Sequence, residues 1–376
     1  MHNPRILAVE SVRGIAALAV SGLHAYVYWT HFRVPRAPDN LAPDPYRGDA
    51  LHDILRHFFV GSGASAVTMF FVISGFVLVM SLNKEASTSK FICSRAFRIY
   101  PAHIAVVIVW FLTAPWLLYG AHTFSIWDAV QSSSFAYAQS YFPMNGPTWS
   151  LRVEVAAIPV ILLAWFIRRH LGIGGLICFA LILAGFSFAR DLYSADMIGR
   201  YAFVFVAGML VVDLRSLVNL SRGLAILLIC IAMTVDIAAR PLLGYHAQMA
   251  ILVEAICCVV TLALVVNGTP LNRFLHSSPV RGFGRISYSF FLIHFPVLWA
   301  FLRWMPDLPL SAVPAGLLTW GLVVAVTLPL SIGCYRWIEQ PGITLGKILT
   351  KKEFMSWTRL ALPKRPISLA SISPRS

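Results

Sequence analysis

Charge is scarce in this chain. Asp, Glu, Lys and Arg make up 12% of its 376 residues, against 58% hydrophobic residues. Soluble domains carry about 25% charged residues, so a water-soluble globule is excluded and a membrane setting is implied. Acids are the scarcer sign, 16 against 30 Lys and Arg. Cysteine is limited to Cys93, Cys178, Cys230, Cys257, Cys258 and Cys334. All six fall in apolar stretches or beside the expected cytoplasmic face. That excludes a disulfide framework, and their spacing forms no metal site. No repeat of fixed period is present, and from Gly120 to Trp149 there is no Lys or Arg at all.

What the chain has in quantity is apolar length. Ten stretches are long enough, or nearly so, to cross the roughly 30 Å core of a bilayer. They are 5–29, 64–82, 98–119, 150–168, 172–189, 197–213, 222–238, 248–267, 286–304 and 312–335. The expected fold is all-α, a polytopic integral membrane bundle of about ten transmembrane helices. Pro and Gly inside several stretches predict tilts and breaks. Residues 30–63 read as an extracytoplasmic loop rich in Pro, Asp and Arg, and residues 120–149 as a second one that dips back into the protein. Ten crossings place both termini on one side. By that topology 20 Lys and Arg lie on the side of the termini and 8 opposite. This is the positive-inside pattern, and it puts both termini in the cytoplasm of an inner (plasma) membrane. It also accounts for the net charge of +14 without a nucleic-acid partner. Residues 1–342 read as one transmembrane domain, and 343–376 as a basic cytoplasmic tail without fixed structure.

The first span carries the densest information. Arg13 and His24 are eleven residues apart, so they share a helix face about 16 Å apart along the axis. An Arg near a helix centre costs about 2.5–3.5 kcal/mol to insert. Groups that expensive face a protein interior or a wet cavity, where they bind or react. The segment lacks a small-residue cleavage site, so it reads as a retained span. In the second span Ser74 and Gly75 permit close helix approach. Arg95 and Arg98, one turn apart, share a face at the cytoplasmic mouth of the third span. They fit positive-inside anchoring, and equally a clamp for phosphate. Glu154 follows Trp149, Ser150 and Arg152 at the outer start of the fourth span. It fits a helix-end ion pair, and equally a group that orients His24. In the ninth span Ser287 and His294 share a face beside Tyr288. His294 fits a satisfied core histidine as well as a site residue. The last span ends in Trp337-Ile338-Glu339-Gln340-Pro341, for which an interfacial anchor and a proline stop are sufficient.

Taken in order, Arg13-Gly14-Ile15-Ala16-Ala17, the ten residues between Arg13 and His24, Phe70 to Phe76, Arg95 to Pro101, Trp149 to Glu154, Ile286 to Pro296 and Trp337 to Pro341 resemble acyltransferase family 3. The similarity runs from about residue 5 to 342. These are polytopic membrane O-acyltransferases of the O-antigen and exopolysaccharide acetylase type. The resemblance implies acyl-CoA as donor, usually acetyl-CoA, and a glycan or other hydroxyl-bearing acceptor that is extracytoplasmic or lipid-linked. It implies Arg13 and His24 as the essential pair with Glu154 beside them, and Arg95 and Arg98 on the CoA phosphates. His24 is expected as general base, with an acyl-histidine route as the other option. Trp149, Ser150 and Tyr288 are the candidate oxyanion donors. Two departures stand out: Phe290-Phe291 replaces a Tyr common before the His-bearing stretch, and no C-terminal esterase-like domain follows. The rival class is a secondary transporter or flippase using the same buried Arg, His and Glu groups, which an inverted repeat would favour; none is visible. A scaffold role ranks last.

Overall fold

The computed structural model describes residues 4–32, 48–83, 87–117, 124–136, 144–189, 197–214, 220–269, 271–304 and 310–361. In order, the helices are α1 (Pro4–Phe32), α2 (Ala50–Leu82), α3 (Thr88–Leu117), α4 (Ile126–Ser134), α5 (Trp149–Ala156), α6 (Ile158–Ala189), α7 (Met197–Leu214), α8 (Arg222–Leu243), α9 (Gln248–Asn267), α10 (Leu271–Leu275), α11 (Ser278–Trp304), α12 (Ala312–Cys334) and α13 (Gln340–Ala361). No strand occurs among the described residues. The fold is an all-α polytopic membrane bundle, as expected.

Nine helical stretches among the described residues are long and apolar enough to cross a membrane. One of them, Gly146–Phe188, is 43 residues long, about 65 Å and roughly two bilayer cores. It folds back. Trp149 lies against Tyr201 at the start of α7, with ring centroids 5.8 Å apart. Arg168 then pairs with Asp213 at the far end of α7, Nη2 to Oδ1 2.6 Å. Ser187 returns to the near end, accepting from Gln248 Nε2 at 3.0 Å, while Gln248 accepts from Arg200 Nε at 3.3 Å. The reversal sits at Gly172, whose φ of 68° is left-handed and open to glycine. Counting this hairpin as two gives the ten crossings of the sequence reading.

Three boundaries differ from that reading. Helix α2 begins at Ala50 rather than 64, because Asp49 caps it through Leu51 N and His52 N. Buried Phe59 and His52 then hold the added turns against Tyr26, whose hydroxyl meets His52 Nδ1 at 3.1 Å. Helix α3 begins at Thr88, so Arg95 and Arg98 lie inside it. The expected structureless tail is helical as far as Ala361. A π-helical turn, Tyr335–Glu339, joins α12 to α13. There Gly342 and Gly346 let α13 lie directly on Pro101 and Phe97 of α3. Residues 362–376 lie outside the described set.

The largest core cluster is built by α2, α7 and α9 around Phe71, Phe76, Phe205, Met209 and Leu262. Gly75 and Gly208 set its depth. Gly75 sits on the Phe205 carbonyl and Gly208 on the Val72 carbonyl, the small-residue approach that close packing in lipid requires. Large apolar side chains such as Val109, Leu112, Leu181, Ile182 and Leu227 remain exposed. They are the lipid-facing surface of such a bundle.

Candidate active site

Helices α1 and α11 run parallel and pack along their length, and two of their contacts define the site. Gly14 meets Gly284, where a Cβ on Gly14 would lie 3.0 Å from the Gly284 Cα. Ten residues further along each helix, His24 meets His294. The equal spacing means that the glycine contact fixes the register of the histidine contact, about 15 Å away. His24 Nδ1 and His294 Nε2 are 2.9 Å apart. The rings stack with centroids 5.2 Å apart and 14° between planes, and Phe295 closes the edge of His24.

The hydrogen-bond chain fixes the tautomers. His294 Nδ1 lies 2.7 Å from the Phe291 carbonyl oxygen. A carbonyl only accepts, so Nδ1 carries the hydrogen and, in the neutral ring, Nε2 holds the lone pair. His24 Nδ1–H then donates to it. In that tautomer Nε2 of the neutral His24 ring carries the lone pair. His294 is buried to 0% exposure, which holds both rings in this arrangement.

His24 lines two adjoining chambers, of about 450 and 200 Å³. Both also expose Pro147, Trp149, Arg240 and Tyr245. Pro147 belongs to a single 3-10 turn, Gly146–Thr148. The residue before it, Asn145, is buried and donates from Nδ2 to the Leu292 carbonyl at 2.7 Å. The loop is also held through Trp110 Nε1 to Met144 O, 3.0 Å, and His103 Nε2 to Ser132 O, 2.9 Å. Thus the segment around 124–148 does dip into the protein where it is described. At the chamber rim, burial and the Arg200 and Arg240 cations push His246 below the usual imidazole value.

A second polar centre lies on the other side of an apolar layer. Ser74 Oγ donates to Glu154 Oε1 at 3.0 Å, and Arg95 Nη1 lies 3.8 Å from the same oxygen. Glu339 is buried at 3% exposure and accepts from Ser289 Oγ at 2.6 Å. Arg13 lies within electrostatic reach of Glu154, Glu339 and Arg98. Between this centre and His24 sit Ala16 and Val20 on α1, Ala66 on α2, Leu151 on α5 and Phe291 on α11, all in one cluster. Each occupies its helix between the two polar levels.

The expected pairing of Glu154 with His24 is therefore replaced. His294 takes the orienting place, and Glu154 joins Ser74 and Arg95. Among the candidate oxyanion donors, Tyr288 Oη donates to Ile99 O at 2.6 Å and Ser150 Oγ to Pro147 O at 3.0 Å. Both hydroxyl hydrogens are committed. The Trp149 indole N–H has no acceptor among the described residues, and Trp149 lines both chambers. Ser287 Oγ donates to Gly284 O at 2.8 Å, a local helix bond; it is Ser289 that reaches an acid.

Four residues of these centres escaped the sequence reading. Asn145 gave no signal. Glu339 was assigned to a helix end, and Arg240 to a loop. Glu254, 0% exposed on α9, was passed over, although an acid within a span is a candidate by default. No group of three or more His, Cys, Asp or Glu that could hold a metal occurs among the described residues.

Comparison with known proteins gives a consistent picture. Residues 6–336 match the family described as an acyltransferase domain. Acyltransferase MdmB of Streptomyces mycarofaciens is 33% identical over 168 residues, which is 41% of this chain and 38% of that protein. The chain thus spans well under half the length of that curated relative. No solved structure matches.

Proposed function

We propose that this chain, which belongs to the acyltransferase domain family, is a membrane O-acyltransferase that moves an acyl group, acetyl in the simplest case, from cytosolic acyl-CoA to a hydroxyl of an extracytoplasmic or lipid-linked glycan, with His24 as general base. The observation that carries this reading is the chain Phe291 O, His294, His24. It leaves His24 Nε2 unprotonated at the wall of a chamber large enough for a sugar.

In the transfer, His24 Nε2 takes the acceptor hydroxyl proton as that oxygen attacks the thioester carbonyl. His24 Nδ1–H keeps its bond to His294, which stabilises the imidazolium. The Trp149 N–H supplies a donor for the developing oxyanion. Collapse breaks the C–S bond, and the imidazolium returns its proton to the departing thiolate. One ester is made, one thioester is lost, and His24 ends neutral.

The two polar levels suit the two substrates. Arg95 and Arg98, on the side that positive-inside counting assigns to the cytoplasm, supply guanidinium forks that match phosphate oxygens. Arg13 links that level to the reacting face of α1. A thin pantetheine arm then has about 16 Å of helix to follow from Arg13 to His24. The apolar layer around Val20 and Phe291 limits water passage along that route. The bacterial inner membrane, with both termini cytoplasmic, is the location this scheme needs.

Replacing His24 with Ala tests the reading. Transfer of radiolabelled acetyl from acetyl-CoA to material in the host membranes should disappear, while the protein still inserts and elutes as a folded species. Undiminished transfer would refute His24 as base.

A further inference from the structure

We propose that Asn145 is a positioning residue for the transfer: it latches the turn that leads into Trp149 onto the segment of α11 that orients His24. The proposal rests on the reading above for the roles of His24 and Trp149, and on its own geometry for the latch.

The latch begins with a proline. Pro296 lies inside α11 and has no N–H, so the carbonyl four residues back, that of Leu292, loses its helical donor. Leu292 is fully buried, so a replacement donor has to come from the protein. Asn145 supplies it, Nδ2 to Leu292 O at 2.7 Å. The preceding carbonyl, Phe291 O, is the one that holds His294 Nδ1 at 2.7 Å. Two consecutive carbonyls of one helical turn therefore serve two parts of the site. One fixes the histidine that orients His24, and the other anchors a wall of the His24 chamber.

From Asn145 the wall follows at once. The Asn145 carbonyl accepts from Thr148 N at 3.0 Å and from Thr148 Oγ1 at 2.6 Å, which closes the 3-10 turn Gly146–Thr148. Pro147 of that turn lines both chambers with His24, and so does Trp149 directly after it. The indole that donates to the oxyanion and the imidazole that takes the proton are thus tied to the same turn of α11. A reacting carbon between them needs both in place, and a misplacement of about 1 Å costs roughly 10²-fold in rate.

The amide carries a second sign of this role. A carbonyl only accepts, so Asn145 presents its nitrogen to Leu292 and turns Oδ1 elsewhere. That oxygen is buried and has no hydrogen-bond partner among the described residues. Empty buried acceptors are uncommon and costly. An amide kept for stability alone is expected with both ends paired; here one end stays empty while the other holds the turn.

The test uses full-length protein in lipid nanodiscs, with radiolabelled acetyl-CoA and host-membrane material as substrates. Asn145→Ala should lower the apparent maximal transfer rate roughly 10- to 100-fold, while the KM for acetyl-CoA stays within about twofold. Amide hydrogen exchange at Thr148 and Trp149 should quicken in the same variant, with or without substrate. In a Trp149→Phe background, Asn145→Ala should cost less than about threefold more, because the donor it positions is already gone. Pro296→Ala gives Leu292 O a helical N–H in place of Asn145. It should quicken the same exchange, and it carries the test if Asn145→Ala does not fold. A rate for Asn145→Ala within about twofold of wild type would overturn the proposal. So would a loss seen only as a lower unfolding temperature, losses that simply multiply with Trp149→Phe, or unchanged exchange in Pro296→Ala. If His24→Ala retained transfer, the general-base reading would fail, whereas the exchange result at Thr148 and Trp149 reports on the latch alone.

Discussion

Replacing His294 with leucine removes the acceptor for His24 Nδ1–H while keeping a buried apolar side chain of similar bulk. The His24 donor now sits in the bundle 2.9 Å from where its partner was. An unsatisfied buried donor costs about 1–3 kcal/mol. The ring can relieve this by moving its hydrogen to Nε2 or by rotating, and either removes the base from the chamber. At 1.36 kcal/mol per decade, the transfer rate should fall roughly 5- to 150-fold. The fall should be smaller than the ~10⁴ seen when a Ser-His-Asp triad has its orienting carboxylate made neutral, because His294 brings no full charge to stabilise the imidazolium. His294→Gln places an amide oxygen near the position of Nε2 and should recover much of the loss. The assay is the acetyl-transfer rate per folded protein, with thermal unfolding followed in parallel. A leucine variant that is folded and within twofold of wild type would refute the tautomer argument, as would a glutamine variant no better than leucine.

Two further outcomes follow from the same geometry. Arg95→Ala combined with Arg98→Ala should weaken CoA binding, read by isothermal titration, far more than acceptor binding; unchanged CoA affinity would reduce these residues to topological anchors. Gly75→Ala drives a methyl group into the Phe205 carbonyl, separates α2 from α7 and should lower the unfolding temperature by several degrees, consistent with about 1–3 kcal/mol for overpacking. An unchanged unfolding temperature would contradict the close contact.

Much of the bundle was legible because membrane helices announce themselves by apolar length, and the split into spans 150–168 and 172–189 falls at the reversal at Gly172. Arg13 and His24 stood out as costly groups at one helical phase, and Gly75 as a small residue at a packing face. Partner choice was harder to read. Counting along the sequence placed Glu154 at the depth of His24. In the fold Trp149 and Ser150 already line the chamber, so Glu154, a turn further along α5, lies beyond the apolar layer that holds Leu151 and reaches Ser74 and Arg95 instead. Glu339 was hidden by the π-helical turn. A 3.6-residue period does not foresee the extra residue that rotates this side chain onto Ser289. Arg240 and Glu254 lie fourteen residues apart on two helices joined by a sharp turn at Gly244. Pairing them requires the tertiary fold. Asn145 lies in a loop with no periodicity, and its burial depends on α3 and α11 closing around it.

The most direct test of His24 as a base, rather than an acyl carrier, is incubation of purified protein with radiolabelled acetyl-CoA and no acceptor, comparing wild type with His24→Ala and following both thiol release and label on the protein. The account predicts CoA binding by both proteins, with neither thiol release nor protein-bound label in either. Acid-labile label on wild type alone would contradict it and make His24 the nucleophile of a covalent route.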